Sequence, residues 1–289
     1  MNIRLCAFAD EAAKDFDTQV QALQRNGIHL LEMRRIDGEN AAFISVDKAK
    51  RYREKLAEQN ISVWSLGSPI CKIRQGFDRN EYAKKVEHAC LVTLALGADK
   101  MRIFSFYPRF FRFDSRKVVD DLRYFVSIAE QYGIKLCCEN DTGLFNATAE
   151  NCRMLLEQLP ELGYIYDPAN FRVSGQTFAQ TKDFLPKADY FHLKDAVGKK
   201  VVPAGFGEGH IPEIINTLQK DAVFTVEPHL TFFRGSKAFN ASPLAGRFDL
   251  HSASGRFDCA VAAAKQVLSQ AGYTEHNGIF TKGEDENER

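Results

Sequence analysis

The 289-residue chain balances 38 Lys and Arg against 38 Asp and Glu, so no global charge bias draws it to nucleic acid or to an anionic membrane. No apolar run is long enough to span a bilayer, and Met1–Asp10 lacks an apolar segment followed by a small-residue cleavage site, so neither a membrane anchor nor secretion is expected. The seven cysteines show no C-x-x-C spacing, a pattern of reduced, buried thiols that predicts a cytoplasmic protein.

Ile3 to Ala7 reads as a first strand, followed by Phe16, Val20 and Leu23 at helical spacing and an Asn26-Gly27 stop. His29 to Met33 is a second strand. Ser45 caps a helix that carries Val46, Ala49 and Leu56 on one face and closes at Asn60. Ser62 to Leu66 is the third strand, and Tyr82, Val86, Cys90 and Leu94 mark the helix after it, stopped at Gly97. Lys100 to Phe106 is the fourth strand, running into the aromatic stretch Phe106 to Phe113. Asp114 or Ser115 caps a helix with Val118, Leu122, Phe125, Val126 and Ala129 as its buried stripe, stopped at Gly133.

The fifth strand ends at Glu139, and Thr148 caps a helix through Met154, Leu155 and Leu159. The sixth ends at Asp167, and a short helix spans Phe178 to Leu185. The seventh carries His192 and leads to the glycine-rich loop Gly205 to His210 and a helix with Pro212 in its first turn. The eighth ends at Glu227. A long insertion, His229 to Arg256, precedes a last helix with Val261, Ala264, Val267 and Leu268.

Eight strand–helix alternations with no break in composition predict one α/β domain over residues 1–277, with an acidic tail at 278–289. The alternation alone also suits an open doubly wound sheet. A single (β/α)8 TIM barrel with an extended loop between strand 8 and the last helix is preferred because of the strand ends. Glu139, Asp167, His192 and Glu227 each terminate an apolar run, at separations of 28, 25 and 35 residues (167 − 139, 192 − 167, 227 − 192). Those gaps suit a strand, a helix and two loops. A closed barrel brings such ends together on the face where barrels keep their active sites, whereas an open sheet spreads them apart. Any one of these acids reads equally well as a helix cap or an ion-pair partner.

Three carboxylates and one imidazole suit a single divalent ion: Mn²⁺ first, with Mg²⁺, Co²⁺ or Zn²⁺ as alternatives. Four protein ligands leave about two octahedral positions for adjacent substrate oxygens, as in a hydroxy-ketone. Lys194 shares strand parity with His192 and is a candidate substrate contact, with a salt bridge to a ligand carboxylate as the alternative. Glu227 and His229 share parity too, which makes His229 a candidate, although Pro228 can break the alignment. Glu32, near the second strand end, and Glu208, in the glycine-rich loop, complete the substrate-contact set. The aromatic stretch can wall a sugar-sized pocket or form an oligomer contact, and the insertion after Glu227 suits a lid.

Cys138-Glu139-Asn140, Tyr166-Asp167-Pro168-Ala169-Asn170, Phe191-His192-Leu193-Lys194-Asp195, Gly207-Glu208-Gly209 and Val226-Glu227-Pro228 together resemble the xylose-isomerase-like TIM barrels. This is the sugar phosphate isomerase/epimerase family that also includes endonuclease IV. The resemblance implies that Glu139, Asp167, His192 and Glu227 bind one divalent metal. It also implies that Glu139 and Glu227 are catalytic, exchanging protons with substrate carbon through an enediolate. The expected substrate is a ketose, keto-sugar or inositol-like polyol, and the expected assembly a homo-oligomer, dimer or tetramer. A metal-dependent lyase or dehydratase, or a C-glycoside-cleaving subunit, shares the same proton abstraction. The third and fourth strand ends, Trp64-Ser65-Leu66 and Phe104-Ser105-Phe106, lack the histidines of three-zinc members, which argues against an abasic-site endonuclease. A non-catalytic sugar-binding barrel is the remaining reading.

Overall fold

The computed structural model describes residues 1–282. Eight parallel strands form its sheet: β1 (Asn2–Ala7), β2 (Leu30–Met33), β3 (Ser62–Leu66), β4 (Lys100–Ile103), β5 (Lys135–Glu139), β6 (Gly163–Tyr166), β7 (Tyr190–Leu193) and β8 (Ala222–Val226). Each pairs with the next in chain order, and β8 closes on β1 from Ile3↔Ala222 to Ala7↔Val226. The barrel is closed, as the strand ends require.

The main covering helices begin where capping side chains dictate. Those of Asp15, Ser45, Asp114 and Thr148 accept the backbone N–H of Thr18, Lys48, Lys117 and Asn151 and so start α1 (Phe16–Arg25), α2 (Val46–Glu58), α4 (Ser115–Glu130) and α5 (Ala149–Gln158). Asp78 caps α3 (Arg79–Ala95) in the same way. The α4 stripe read from the sequence is the face it buries against the sheet.

Strand parity sets the layers inside the barrel. Cys6, Cys137, Ile165, Tyr190 and Val223 form an apolar plug with Trp64 and Leu30. Two residues further along the same strands stand Glu139, His192 and Thr225. The floor of the mouth is therefore polar above and apolar below, and both layers are buried.

Several elements depart from expectation. The fourth strand stops at Ile103: beyond it the Phe104 and Phe106 N–H groups donate to the Ile70 and Cys71 carbonyls of the loop after β3, and Phe106 lies in the left-handed region at φ 68°. Asp167-Pro168 starts an unforeseen helix, α6 (Pro168–Val173). A hairpin, Asp195–Val197 with Lys200–Val202, precedes the glycine-rich loop, which leads into α7 (Ile211–Thr217). The last helix, α8 (Ala253–Gln270), is followed by a second hairpin, β9 (Tyr273–His276) and β10 (Ile279–Lys282). β10 pairs antiparallel with β1 and buries Phe280 in the main core. The boundary expected at residue 277 thus falls inside an ordered hairpin, and residues 283–289 of the expected tail lie outside the described residues.

The aromatic stretch is divided. Phe104 and Phe106 are buried, whereas Phe110 and Phe111 are exposed at the loop tip. In the insertion, Phe233 and Phe239 pack together and Phe239 meets Phe206 of the glycine-rich loop. All seven cysteines are buried and unpaired. Among the described residues no helix is long and apolar enough to cross a membrane.

Candidate metal centre and active site

Asp167 follows β6 and caps α6: its Oδ1 accepts the Asn170 N–H at 2.8 Å, which leaves Oδ2 to face the barrel axis. Asn140, just past β5, ties the two strand ends together. Its Oδ1 accepts the Asp167 N–H at 2.9 Å, and its Nδ2 donates to the Asp167 carbonyl at 2.8 Å. Asn170 then donates from Nδ2 to Glu139 Oε1 at 3.1 Å. The Cys-Glu-Asn and Asp-Pro-Ala-Asn stretches are therefore one interlocked unit, and the two asparagines set the aim of both acids.

His192 is fully buried on β7. Its Nε2 lies 3.2 Å from Glu32 Oε2, and Glu32 also accepts from Tyr190 Oη at 2.9 Å and Thr225 Oγ1 at 2.8 Å. In the neutral imidazole, with Nε2–H given to Glu32, Nδ1 would turn its lone pair toward the mouth. It stands 3.1 Å from Glu139 Oε1 and 3.6 Å from Glu227 Oε2.

One ligating atom each from Glu139, Asp167, His192 and Glu227 lies within 4.8 Å of the others. Asp167 Oδ2 and His192 Nδ1 are buried and make no aligned hydrogen bond, although Lys194 Nζ is 2.7 Å from the former. Two orphaned atoms aimed into a cluster of hard oxygen donors are what a divalent cation would satisfy. These four residues fit one.

The two glutamates flank the set symmetrically. Glu139 Oε2 lies 3.3 Å from Arg102 Nη1, and Glu227 Oε1 lies 3.2 Å from Arg34 Nη1. Both guanidinium groups also lie over the ring of Phe8, at 4.6 Å for Arg34 and 5.1 Å for Arg102. Each glutamate thus has one oxygen in the cluster and the other held by an arginine that lines the cleft. Arg34 also pairs with Asp10 at 2.9 Å and Glu11 at 2.7 Å, so the acids beside the cluster already have a counter-ion.

Charge sets the protonation states. Burial is the largest single influence on Glu139 and works against its carboxylate, but the charge and hydrogen bond of His192, joined by Arg102, together hold the group below the usual range. Glu227 is likewise held well down against burial, chiefly by Lys194. Burial dominates at Asp167 and pushes its carboxyl up despite Lys194, with Glu139 and Glu227 adding repulsion. Burial disfavours the imidazolium of His192, yet Glu139 and Glu32 raise its pKa to about 10. Without metal, His192 therefore carries a proton near neutral pH that must leave before Nδ1 can bind a cation. Metal affinity should rise with pH up to about 10, by up to ~10-fold per unit for each proton released. Calorimetry at pH 7.5 in buffers of different ionisation enthalpy should find about one to two protons released per Mn²⁺ bound. Uptake with no proton release would contradict these assignments.

The cleft over the cluster has a volume of about 390 Å³, the size of a small-molecule site. Lys194 and His229 both line it. His229 Nε2 is 3.1 Å from Glu11 Oε1 and 3.4 Å from Glu227 Oε1. Glu32 and Glu208 stand elsewhere than expected. Glu32 is fully buried under His192 and is absent from the cleft lining. Glu208 is paired with Arg172 Nε at 2.7 Å and accepts the Gly198 N–H, also away from the cleft. Neither is placed to touch a substrate held there. Arg34 and Arg102 escaped the sequence reading, and Asn140 and Asn170 entered it only within motifs, with no role assigned; Arg102, a lone arginine midway between apolar residues of a strand, was the signal available.

Glu32 therefore acts on His192. Glu32→Gln should weaken divalent-metal affinity by roughly 10- to 100-fold, as expected when the group orienting a histidine ligand is altered. Unchanged affinity in a titration of the folded variant would remove Glu32 from the site.

A closed (β/α)8 barrel with a buried carboxylate–imidazole set at the C-terminal ends of its strands defines a class of protein. The model of the xylose isomerase-like TIM barrel family matches residues 20–231, and the chain belongs to that family. Similar solved structures include the IOLI protein with a bound zinc atom, at TM-score 0.70 and 17% identity over 93% of this chain and 99% of that one. The probable 3-DHS dehydratase AsbF, involved in petrobactin synthesis in Bacillus anthracis, has TM-score 0.69 and 15% identity over 92% and 99%. The D-allulose 3-epimerase of Methylomonas sp., in complex with D-allulose, has TM-score 0.65 and 14% identity over 92% and 97%. At these identities the likeness is one of fold. None of the curated proteins compared by sequence matches the chain.

Proposed function

We propose that the protein is a divalent-metal-dependent isomerase or epimerase of a keto-sugar, ketose or inositol-like polyol. Glu139, Asp167, His192 and Glu227 hold the ion, and the two glutamates move the proton. The observation that carries this reading is the flanking of one four-residue ligand set by two glutamates, each with its second oxygen held by an arginine at the cleft. A divalent ion there supplies Lewis-acid polarisation of a substrate carbonyl and its neighbouring hydroxyl. The chain's own groups do the rest. Glu139 and Glu227 approach a bound carbon from different sides; one takes the proton beside the carbonyl and the other returns one to the opposite face. Arg34 and Arg102 fix their orientation, and Lys194 and His229 offer N–H donors to substrate oxygens. The epimerase structure with D-allulose supports a sugar-sized substrate.

The test is solvent exchange: metal-loaded protein incubated with a keto-sugar panel in deuterated water should place deuterium at the carbon beside the carbonyl. Product that forms at full rate without solvent deuterium would indicate hydride transfer instead. A dehydratase or lyase is the second reading, supported by the likeness to AsbF. It shares the first proton abstraction and is distinguished by loss of water in the product. Nucleic acid is not expected as substrate: abasic duplex should show neither nicking nor salt-sensitive binding at physiological salt. Tight binding that falls steeply with salt would overturn that expectation.

A further inference from the structure

We infer that Lys194 is the internal counter-ion of the metal-free ligand set, and that a divalent cation displaces its ammonium from Asp167 and Glu227 into the cleft, where it becomes a donor to substrate oxygen. This rests on the metal reading above and adds to it the regulation of the site. Lys194 Nζ lies 2.7 Å from Asp167 Oδ2 and 2.5 Å from Glu227 Oε2, so it bridges two of the four candidate ligands. The Asp167 contact is close but misaligned for a hydrogen bond, which leaves Oδ2 without a directed partner. A divalent ion bound to those same oxygens at ~2.0–2.6 Å would sit within about 5 Å of the ammonium. Like charges that close in a buried site repel strongly.

The other cations of the site have anchors of their own. Arg102 donates to the Gly67 and Ser68 carbonyls, and Arg34 is tied to Asp10 and Glu11. Lys194 has only the two ligand carboxylates, lies on a flexible four-carbon stem, and already lines the cleft. It is the group free to move. Two consequences follow. Lys194 lowers metal affinity by competing for the ligands, and metal loading delivers the donor, so metal and substrate binding reinforce each other.

The test titrates Mn²⁺ calorimetrically into wild type, Lys194→Met, Lys194→Gln and Lys194→Arg, with thermal melts with and without Mn²⁺. The Met and Gln variants should bind Mn²⁺ at least ~10-fold more tightly than wild type, while melting lower without it and gaining more from it. The Arg variant, which keeps the charge, should stay near wild type. Equal or weaker affinity in the Met and Gln variants would overturn the proposal. Wild type that takes up no Mn²⁺ would instead overturn the metal reading beneath it. A crystal structure of Mn²⁺-loaded wild type decides independently of how the variants fold. Nζ moved away from both carboxylates supports displacement, and Nζ still bridging them refutes it.

Discussion

Glu139→Gln and Glu227→Gln should each lower turnover by roughly 10²- to 10⁴-fold, the range lost when a positioned acid–base group is removed. Glutamine keeps the size of the side chain and one of its two accepting oxygens, but it cannot take a proton at neutral pH. Both acids are held ionised against burial: His192 joined by Arg102 does so at Glu139, and Lys194 chiefly at Glu227. Each is therefore ready to act as base near neutral pH. Because the proposed mechanism brings the two glutamates to the reacting carbon from different sides, the variants should differ in kind. One should still exchange substrate hydrogen with deuterated water without forming product, and the other should fail at exchange. Each variant's metal content must be measured in parallel, since both residues are also candidate ligands. Wild-type rates in either metal-loaded variant would exclude two-glutamate proton transfer.

His192→Ala and Asp167→Asn should each reduce divalent-metal affinity by more than ~100-fold, beyond what an orienting partner alone contributes. His192 supplies the imidazole of the set, and Asp167 Oδ2 is a buried candidate ligand atom with no aligned hydrogen bond of its own. Asp167→Asn keeps an oxygen to cap α6, so the fold should survive the change. The readout is thermal: Mn²⁺ at a level that saturates wild type should raise its melting temperature by mass action and shift both variants far less. Equal metal-induced shifts in all three proteins would place the metal elsewhere.

The four-residue set was legible because each member ends an apolar run, and parallel strands with helical crossovers gather such ends at one mouth. The roles of Glu32 and Glu208 were not. A register shift between Leu31 and Glu32 upsets the simple alternation of β2, and Glu32 ends fully buried beneath His192. The glycine-rich loop wraps the Asp195 carboxylate, which accepts the N–H groups of Gly205, Gly207 and Gly209. A Cβ at Gly207 or Gly209 would lie 2.4 or 2.7 Å from Asp195 Oδ1, so the glycines are spaced to fold around an acid and Glu208 is left facing Arg172. Lys194 was balanced between substrate contact and salt bridge, and in the folded chain it bridges two candidate ligands at the edge of the cleft. The C-terminal hairpin was hidden by its acidic surroundings, because pattern alone does not reveal that β10 pairs with Asn2 to Arg4 at the start of β1, ahead of the residues that β2 joins.

The central claim is that the ends of β5 to β8 converge on one divalent ion. Its most direct test is an anomalous difference map from a crystal soaked in Mn²⁺. One strong peak per chain is expected, at ~2.0–2.5 Å from a carboxylate oxygen of Glu139, Asp167 and Glu227 and from His192 Nδ1. A map with no peak there, or with its strongest peak bound by other residues, would contradict it.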